Sequence, residues 1–167
     1  DKLLYQDKKG YEDPWRKHHQ SSITRDIWLC TLDREHSFQK ITSFKGEDRN
    51  PVWATDGSSF YYLSEEKGSF NIFKNDLTGR NSRQITNHTM HPVRFLTSDN
   101  NGNLCYGYDG EIYTVKEGTQ PKKVDVQIIS DKVENDLIHQ LKASGATDIA
   151  VSPNGKEVAF IVRGDVY

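Results

Sequence analysis

Short runs in which β-branched and aromatic residues alternate with polar residues recur along the whole chain. Each run is bounded by Gly, Asn, Asp or Pro, which is the pattern of short β-strands. Eleven segments fit it: Lys2–Gln6, Asp26–Leu32, Pro51–Thr55, Ser59–Leu63, Phe70–Asn75, Val93–Thr97, Asn103–Gly107, Glu111–Val115, Lys122–Ile129, Thr147–Val151 and Glu157–Val162. Short strands at this spacing predict an all-β fold.

Residues 131–142 depart from this alternation. Val133, Leu137 and Leu141 fall on one face of a helix, and Asp131 stands where a helix-capping residue is expected. The pattern predicts one short helix near residues 131–142, while Ile138–Ala143 also fits a strand.

The strands belong to a repeat. Asp-Gly or Asn-Gly turns, in which glycine adopts a positive φ without strain, precede an apolar strand at Gly57, Gly102 and Gly155. The central apolar residues of a recurring polar–apolar–aromatic triplet are 45, 40 and 54 residues apart. Further matches are Gln39–Thr42 with Arg83–Thr86, 44 residues apart, and Pro51-Val52 with Pro92-Val93, 41 apart. A period of about 40–45 residues that carries four strands is typical of one β-propeller blade.

The repeat predicts a partial β-propeller of about 3.5 four-stranded blades in a single domain. Its parts are a partial blade over residues 1–42, a blade over 43–86, a blade with an insert over 87–145, and a partial blade over 146–167. Closed propellers have four to eight blades, so we expect the chain to be a piece of a larger protein. Its uncovered blade flanks predict self-association.

Composition excludes several classes of function. With 34% hydrophobic and 11% aromatic residues, disorder is not expected. A formal net charge of −2 gives no reason to expect a nucleic acid or an anionic membrane as partner. No apolar run approaches the length of a membrane span, and two cysteines make no disulfide framework.

The residues nominate no catalytic centre and no cofactor. A serine nucleophile on a strained Gly-x-Ser-x-Gly turn is missing from the sequence. His88 and His91 stand three apart, but no neighbouring Cys or third His completes a zinc site. We therefore expect neither catalysis nor a bound metal or cofactor in this chain.

Candidate binding residues follow from propeller geometry, because the first strand of each blade lines the central channel. At its entrance we expect Arg49, Asn50, His91 and Arg94, followed in the last unit by Thr147 and Asp148. Arginine can bind carboxylates or peptide carbonyls through forked hydrogen bonds. The alternative is that these arginines form ion pairs between blades, with Asp48 or Asp99.

The long connection Lys8–Arg25 is a second candidate. It carries Trp15, His18 and His19, and connections of this length are commonly functional or disordered. One interpretation is a loop that recognises a peptide or a neighbouring domain through Trp15. The alternative is that its aromatic residues fold back on their own blade.

The turn motifs resemble a known repeat. Ser152–Lys156 followed by Val158–Phe160 is similar to the Ser-Pro-Asp-Gly-Lys hallmark of TolB-like propellers. A closer resemblance is to the N-terminal propeller of bacterial tricorn-protease homologues. It rests on the stretches Trp15–His19, Gly46–Val52, His91–Phe95, Leu104–Tyr113 and Ala159–Val166.

This resemblance implies a non-catalytic segment that gates or guides peptide substrate to a serine peptidase domain elsewhere in the parent protein. That family's catalytic serine and histidine have no matching positions in this chain. The resemblance also implies a periplasmic location, with a peptide or protein and the remaining domains of the same polypeptide as partners. The alternatives are a free-standing TolB-like interaction propeller and the propeller cap of a prolyl-oligopeptidase-like enzyme.

Overall fold

The described part of the chain consists of strands and turns. A computed structural model describes residues 1–11, 18, 20–129, 141 and 143–167, and within these ranges it contains fourteen strands and no helix. They are β1 (Lys2–Gln6), β2 (Ile27–Thr31), β3 (Ser37–Lys40), β4 (Asp48–Trp53), β5 (Ser59–Ser64), β6 (Asn71–Asp76), β7 (Arg83–Gln84), β8 (Arg94–Ser98), β9 (Asn103–Tyr108), β10 (Glu111–Lys116), β11 (Lys122–Lys123), β12 (Ala146–Val151), β13 (Val158–Val162) and β14 (Asp165–Val166).

The strands form four antiparallel sheets in which each strand pairs with the next in sequence. The sheets are β1-β2-β3, β4-β5-β6-β7, β8-β9-β10-β11 and β12-β13-β14. The chain divides into two compact units, Asp1–Val126 with the first three sheets and Gln127–Tyr167 with the fourth. The predicted all-β fold is confirmed, while the division of one domain into four blades remains a prediction. The predicted helix lies outside the described residues except for Leu141.

Two apolar clusters stabilise the first unit. Leu4, Ile27 and Leu29 of the first sheet pack with Phe60 and Tyr62 of the second. On the opposite face of the second sheet, a separate cluster joins the second and third sheets; it contains Tyr61, Leu63, Ile72, Leu104, Tyr106 and Val115. Because side chains alternate along a strand and both faces of the second sheet are covered, all six residues of β5 are buried.

One predicted strand is much shorter than the sequence suggested. Of Lys122–Ile129 only Lys122 and Lys123 pair with β10. The amide of Val124 still donates to the carbonyl of Ile112, at 2.8 Å. Beyond it, Ile128 and Ile129 are 87% and 92% exposed, so within the described part of the chain these β-branched residues gain little burial that would hold them in the sheet.

The inner strands of the second and third sheets share a β-bulge. The register shifts by one residue between Arg49 and Val52 in β4, and between Arg94 and Thr97 in β8. Arg49 and Arg94 are thus equivalent, and matching Pro51-Val52 with Pro92-Val93 was wrong. Pro51 instead lies in the bulge, where the missing N–H of proline is tolerated.

The repeated Ile-Thr pairs have a structural role. The hydroxyl of Thr42 accepts a hydrogen bond from the amide of Ile27, and that of Thr86 accepts one from the amide of Ile72, each at 2.9 Å. Both threonines are buried. The side chain of Thr therefore satisfies a buried backbone donor where the outermost strand leaves its neighbour.

Glu117, in the turn between β10 and β11, links the third sheet to the second. Glu117 Oε2 accepts hydrogen bonds from the Tyr61 hydroxyl and from Lys74 Nζ, each at 2.9 Å, and Arg83 forms an ion pair with the same carboxylate. Charge pairing thus supplements apolar packing between these two sheets.

Asp48 is a buried carboxylate in β4. It is 1% exposed and occupies the position that Val93 has before β8. Burial raises its pKa to about 7, although hydrogen bonds from the hydroxyls of Ser64 and Thr42 favour the ionised form. The ionised carboxylate therefore costs stability at neutral pH.

The first prediction concerns Gly79. Its φ is +76°, and a Cβ atom there would overlap the carbonyl oxygen of Ile41 from the first sheet. At Gly118 φ is +81°, but a Cβ would meet nothing within 4 Å. Gly118→Ala should lower the free energy of unfolding by about 1–2 kcal/mol through its φ alone. Gly79→Ala should lower the free energy of unfolding by at least about 2 kcal/mol more than Gly118→Ala does, because the backbone at Gly79 or Ile41 must also move to relieve the overlap. Equal losses in urea unfolding would contradict this.

The second prediction concerns pH. The folded pKa of Asp48, about 7, exceeds its ordinary value of 3.8, so the unfolded chain releases this proton first and stability falls as pH rises through this range. Asp48→Asn should raise the free energy of unfolding at pH 8 by about 4 kcal/mol, which is the three-unit difference converted to energy. The gain should shrink towards pH 4.

The control for this prediction is Asp33→Asn, since Asp33 is exposed. Thermal unfolding of both variants and the wild type at pH 5 and pH 8 makes the comparison. A stabilisation by Asp48→Asn that does not depend on pH would show that the charge of Asp48 is not its cause.

Candidate functional site

Arg49 lies inside the first unit. It is 5% exposed, its Nη1 is 3.6 Å from Glu47 Oε1, and its guanidinium carbon lies 4.3 Å from the centre of the Phe70 ring. Arg25 contacts the same oxygen of Glu47 at 2.5 Å. Burial and the nearby charges of Arg94 and Arg25 lower the pKa of Arg49, while Glu47 opposes the shift.

This buried network gives Arg49 a structural partner. Arg49 forms an ion pair with Glu47, an acid that the sequence analysis does not name as its partner. Which acid would pair with Arg49 could not be read from the sequence, because Glu47 and Asp48 both lie within two residues of it in the chain. Only the direction in which each side chain leaves the bulged strand decides between them.

Asn50 directly follows Arg49 and is exposed. It has a φ of +52°, a conformation that Asn tolerates better than most residues. The backbone N–H of Asn50 donates a hydrogen bond to Gln6 Oε1 of β1, at 2.7 Å. Asn50 therefore links the edge strands of the first two sheets and leaves its side chain open to solvent.

One described residue of the long connection reaches the second sheet. The amide of His18 donates to Glu65 Oε2 at 2.7 Å, and its Nδ1 lies 3.8 Å from the same oxygen. Glu65 is 5% exposed, whereas the side chain of His18 is 63% exposed. The other two candidates in this connection, Trp15 and His19, lie outside the described residues.

His91 and Arg94 line a cavity of about 540 Å³ beside β8 and the β9–β10 hairpin. Its volume falls within the range of small-ligand pockets. Besides these two residues it is lined by apolar, aromatic and acidic residues, chiefly Pro92, Phe95, Tyr108, Asp109, Glu111 and Ile112. The structure thus brings together two of the nine candidate binding residues in one concave surface.

The acidic side of this cavity is formed by a tight turn. Tyr108 pairs with Glu111, so Asp109 and Gly110 form a two-residue hairpin loop in which both φ angles are positive. Asp109 Oδ1 lies 3.3 Å from His91 Nε2. The Asp-Gly pair in the sequence is a signal for this turn, and it could have added Asp109 to the candidates.

Phe95 forms part of the apolar wall in a strained conformation. Its φ is +57°, which is uncommon for a bulky residue, and it is 67% exposed. A Cβ atom on Gly107 would approach the Phe95 ring to 3.2 Å, so the glycine allows the ring to lie close against β9. The bulge that places Phe95 here could not be located from the sequence.

His88 has a packing role beside the cavity. Its ring stacks on Tyr108, with centres 3.8 Å apart, and its Nε2 lies 2.9 Å from the Tyr106 hydroxyl. Burial lowers the pKa of His88, so the ring is neutral at physiological pH. Asn71 also bonds both backbone groups of His88, at 2.8 Å and 2.9 Å.

Thr147 and Asp148 belong to the second compact unit. Both are exposed residues of β12, and a register shift occurs between Ala146 and Asp148. Within the ranges that the structure describes, no group of three or more His, Cys, Asp or Glu is arranged to hold a metal ion. Nor does any helix among those residues have the length and apolar character needed to cross a membrane.

Comparison with known proteins links the chain to two groups. No family model matches it. It is 25% identical over 163 residues to a tricorn protease homolog of Saccharolobus solfataricus. The aligned region covers 95% of this chain and 14% of that protein. It is also 25% identical over 158 residues to the tricorn protease of Thermoplasma acidophilum, and that alignment covers 94% of this chain and 14% of the protease.

Comparison with solved structures finds the same similarity to tricorn proteases. A crystal structure of the tricorn protease matches with a TM-score of 0.70 at 22% identity, covering 99% of this chain and 15% of that one. A putative TolB from Agrobacterium tumefaciens matches with a TM-score of 0.54 at 18% identity, covering 60% of this chain and 40% of that one. The chain therefore spans about 14–15% of the tricorn relatives. The resemblance predicted from the repeat motifs is confirmed: the chain is similar in sequence to part of the tricorn proteases, and its fold is similar to that of the tricorn protease and TolB propellers.

Proposed function

We propose that the chain is a non-catalytic propeller segment that binds peptide or protein substrate and guides it to a serine peptidase domain outside these 167 residues. It would act through size exclusion and polar contacts at the blade entrances, without covalent chemistry. The observation that carries the proposal is the cavity lined by His91 and Arg94.

The chemistry of this cavity suits an extended peptide. Arg94 offers forked donors to a peptide carbonyl or carboxylate, and Asp109 and Glu111 offer acceptors to peptide amides. Phe95 and Ile112 are 67% and 46% exposed and provide apolar contact for a side chain. A few polar groups on a largely apolar wall are typical of sites that orient a ligand.

The similarity to tricorn proteases supports the second half of the proposal. The matched relatives are named as proteases, and this chain covers only 12–15% of their length. We propose that the peptide-cleaving residues lie in a further part of the parent protein. The periplasmic location implied by the resemblance is proposed on the same basis.

A free-standing TolB-like interaction propeller is the alternative. The TolB structure matches 60% of this chain at a TM-score of 0.54, whereas the tricorn protease structure matches 99% at 0.70. The more complete match favours the tricorn-like interpretation.

The third prediction tests binding. Fluorescein-labelled decapeptides derived from casein should bind the full chain in fluorescence anisotropy. Arg94→Ala should weaken their binding about tenfold, because a charged hydrogen bond is lost. The control is Arg34→Ala, since Arg34 is exposed and lies outside the cavity. Binding that both variants weaken equally, or no saturable binding by the wild type, would contradict the proposed site.

The fourth prediction tests the absence of chemistry. The purified chain should leave casein and the same labelled decapeptides uncleaved during a long incubation, monitored by mass spectrometry. Turnover that persists after inhibition of trace proteases, and that follows the chain through successive purification steps, would show that it is itself catalytic.

A further inference from the structure

A second cavity, of about 240 Å³, lies where the connection that follows β3 meets the second sheet. All the elements that enclose it belong to the first compact unit. We call it the Asp48 cavity. The residues that line it include Ser43, Asp48, Tyr62, Glu66, Asn75 and Ser82, so it is rich in side-chain oxygen atoms.

Asp48 lines this cavity from its buried side and is incompletely satisfied there. The residue is 1% exposed, and the hydroxyls of Ser64 and Thr42 hydrogen-bond to its carboxyl group. Among the described residues, however, its Oδ1 has no hydrogen-bond partner. A buried carboxylate oxygen without a partner costs free energy, and in a polar cavity it is commonly satisfied by a bound water or ion.

The side chains around the Asp48 cavity carry negative charge. Glu66 adds a second carboxyl group, and no Lys, Arg or His is found among the described residues that line the cavity. The charge of Asp26 also acts on Asp48, but Asp26 is paired with Lys9 at 2.6 Å and with Lys40 at 2.8 Å. Those two lysines are thus engaged by another carboxylate, and the cavity is left without a positive side chain of its own.

The oxygen atoms around the cavity suit a hard cation. Besides the two carboxyl groups there are the hydroxyls of Tyr62 and Ser82, whose oxygens are 2.9 Å apart, and the amide group of Asn75. Calcium takes about six to eight oxygen ligands in flexible geometry, whereas magnesium demands a tight octahedron. The volume also leaves room for several water molecules, each of which occupies about 30 Å³ in the liquid.

We propose that the Asp48 cavity binds a calcium ion through the carboxylates of Asp48 and Glu66, with hydroxyl, amide and water oxygens completing its coordination. The ion would fasten the connection after β3 to the second sheet. No metal was expected from the sequence, because an oxygen site drawn from separate strands has no fixed spacing. The proposal does not rest on peptide binding, because none of these residues lines the cavity beside β8.

The fifth prediction is calcium binding. Terbium replaces calcium in oxygen sites and luminesces when a nearby tyrosine is excited. It should bind saturably to the full chain, treated with EGTA and then dialysed, because Tyr62 lines the cavity. Calcium should displace it with a dissociation constant of about 10⁻⁴–10⁻³ M, since only two carboxylates contribute, and magnesium at least about tenfold less effectively. No saturable terbium signal, or equal displacement by both ions, would overturn the proposal.

Substitutions locate the ion. Asp48→Asn and Glu66→Gln should each weaken calcium binding at least about tenfold, because each removes a charged ligand. The control is Glu35→Gln, since Glu35 is exposed and does not line the cavity. Calcium binding that neither ligand variant weakens, or that Glu35→Gln weakens as much as Glu66→Gln does, would refute the assigned ligands. Circular dichroism establishes that the variants are folded, and exposed Glu66 provides the test if Asp48→Asn is not.

Thermal unfolding at pH 8 provides a second readout. Calcium at about 10 mM should raise the unfolding midpoint of the wild type by at least about 3 °C, because the ion binds only the folded chain. The midpoint of Asp48→Asn should not change. The advantage of Asp48→Asn over the wild type at pH 8 is therefore expected in EGTA and should narrow in calcium. Equal stabilisation of both proteins by calcium would show that the ion binds away from Asp48.

Discussion

The structure of the first unit depends on the second sheet being buried on both faces. Its middle strands carry large apolar side chains in alternation, with Phe60 and Tyr62 towards the first sheet and Tyr61 and Leu63 towards the third. Each fully buried side chain of this size contributes about 1.5–3 kcal/mol. Because both neighbours are needed to bury this strand, the second sheet has no stable apolar environment without them.

Much of the fold follows from local patterns in the sequence. Alternation located ten of the eleven predicted strands to within a few residues, since it reflects which face of each strand is buried. The Gly57, Gly102 and Gly155 turns also have the expected positive φ. The exception, Lys122–Ile129, shows that β-branched residues do not by themselves make a strand, since Ile128 and Ile129 are exposed and unpaired with β10 among the described residues.

The candidate site was only partly predictable. His91 and Arg94 do share a cavity, but Arg49, at the equivalent bulge position, is buried against Glu47 and Phe70. The two positions differ because Arg49 pairs with Leu63 on the face of the second sheet that the third sheet covers. Likewise, the contact of His18 with Glu65 joins residues 47 apart, and no periodicity encodes it.

The arrangement of each sheet as strands paired only with their sequence neighbours has a consequence for how the chain reaches its native state. Apart from the long connection between β1 and β2, the strands of each sheet are joined by short connections, and the second and third sheets each dock on the sheet formed just before them, so the loop-closure entropy of these steps is small. A chain of this kind can acquire structure progressively from its amino end during synthesis. The surface most in need of protection at any moment is that of the last completed sheet.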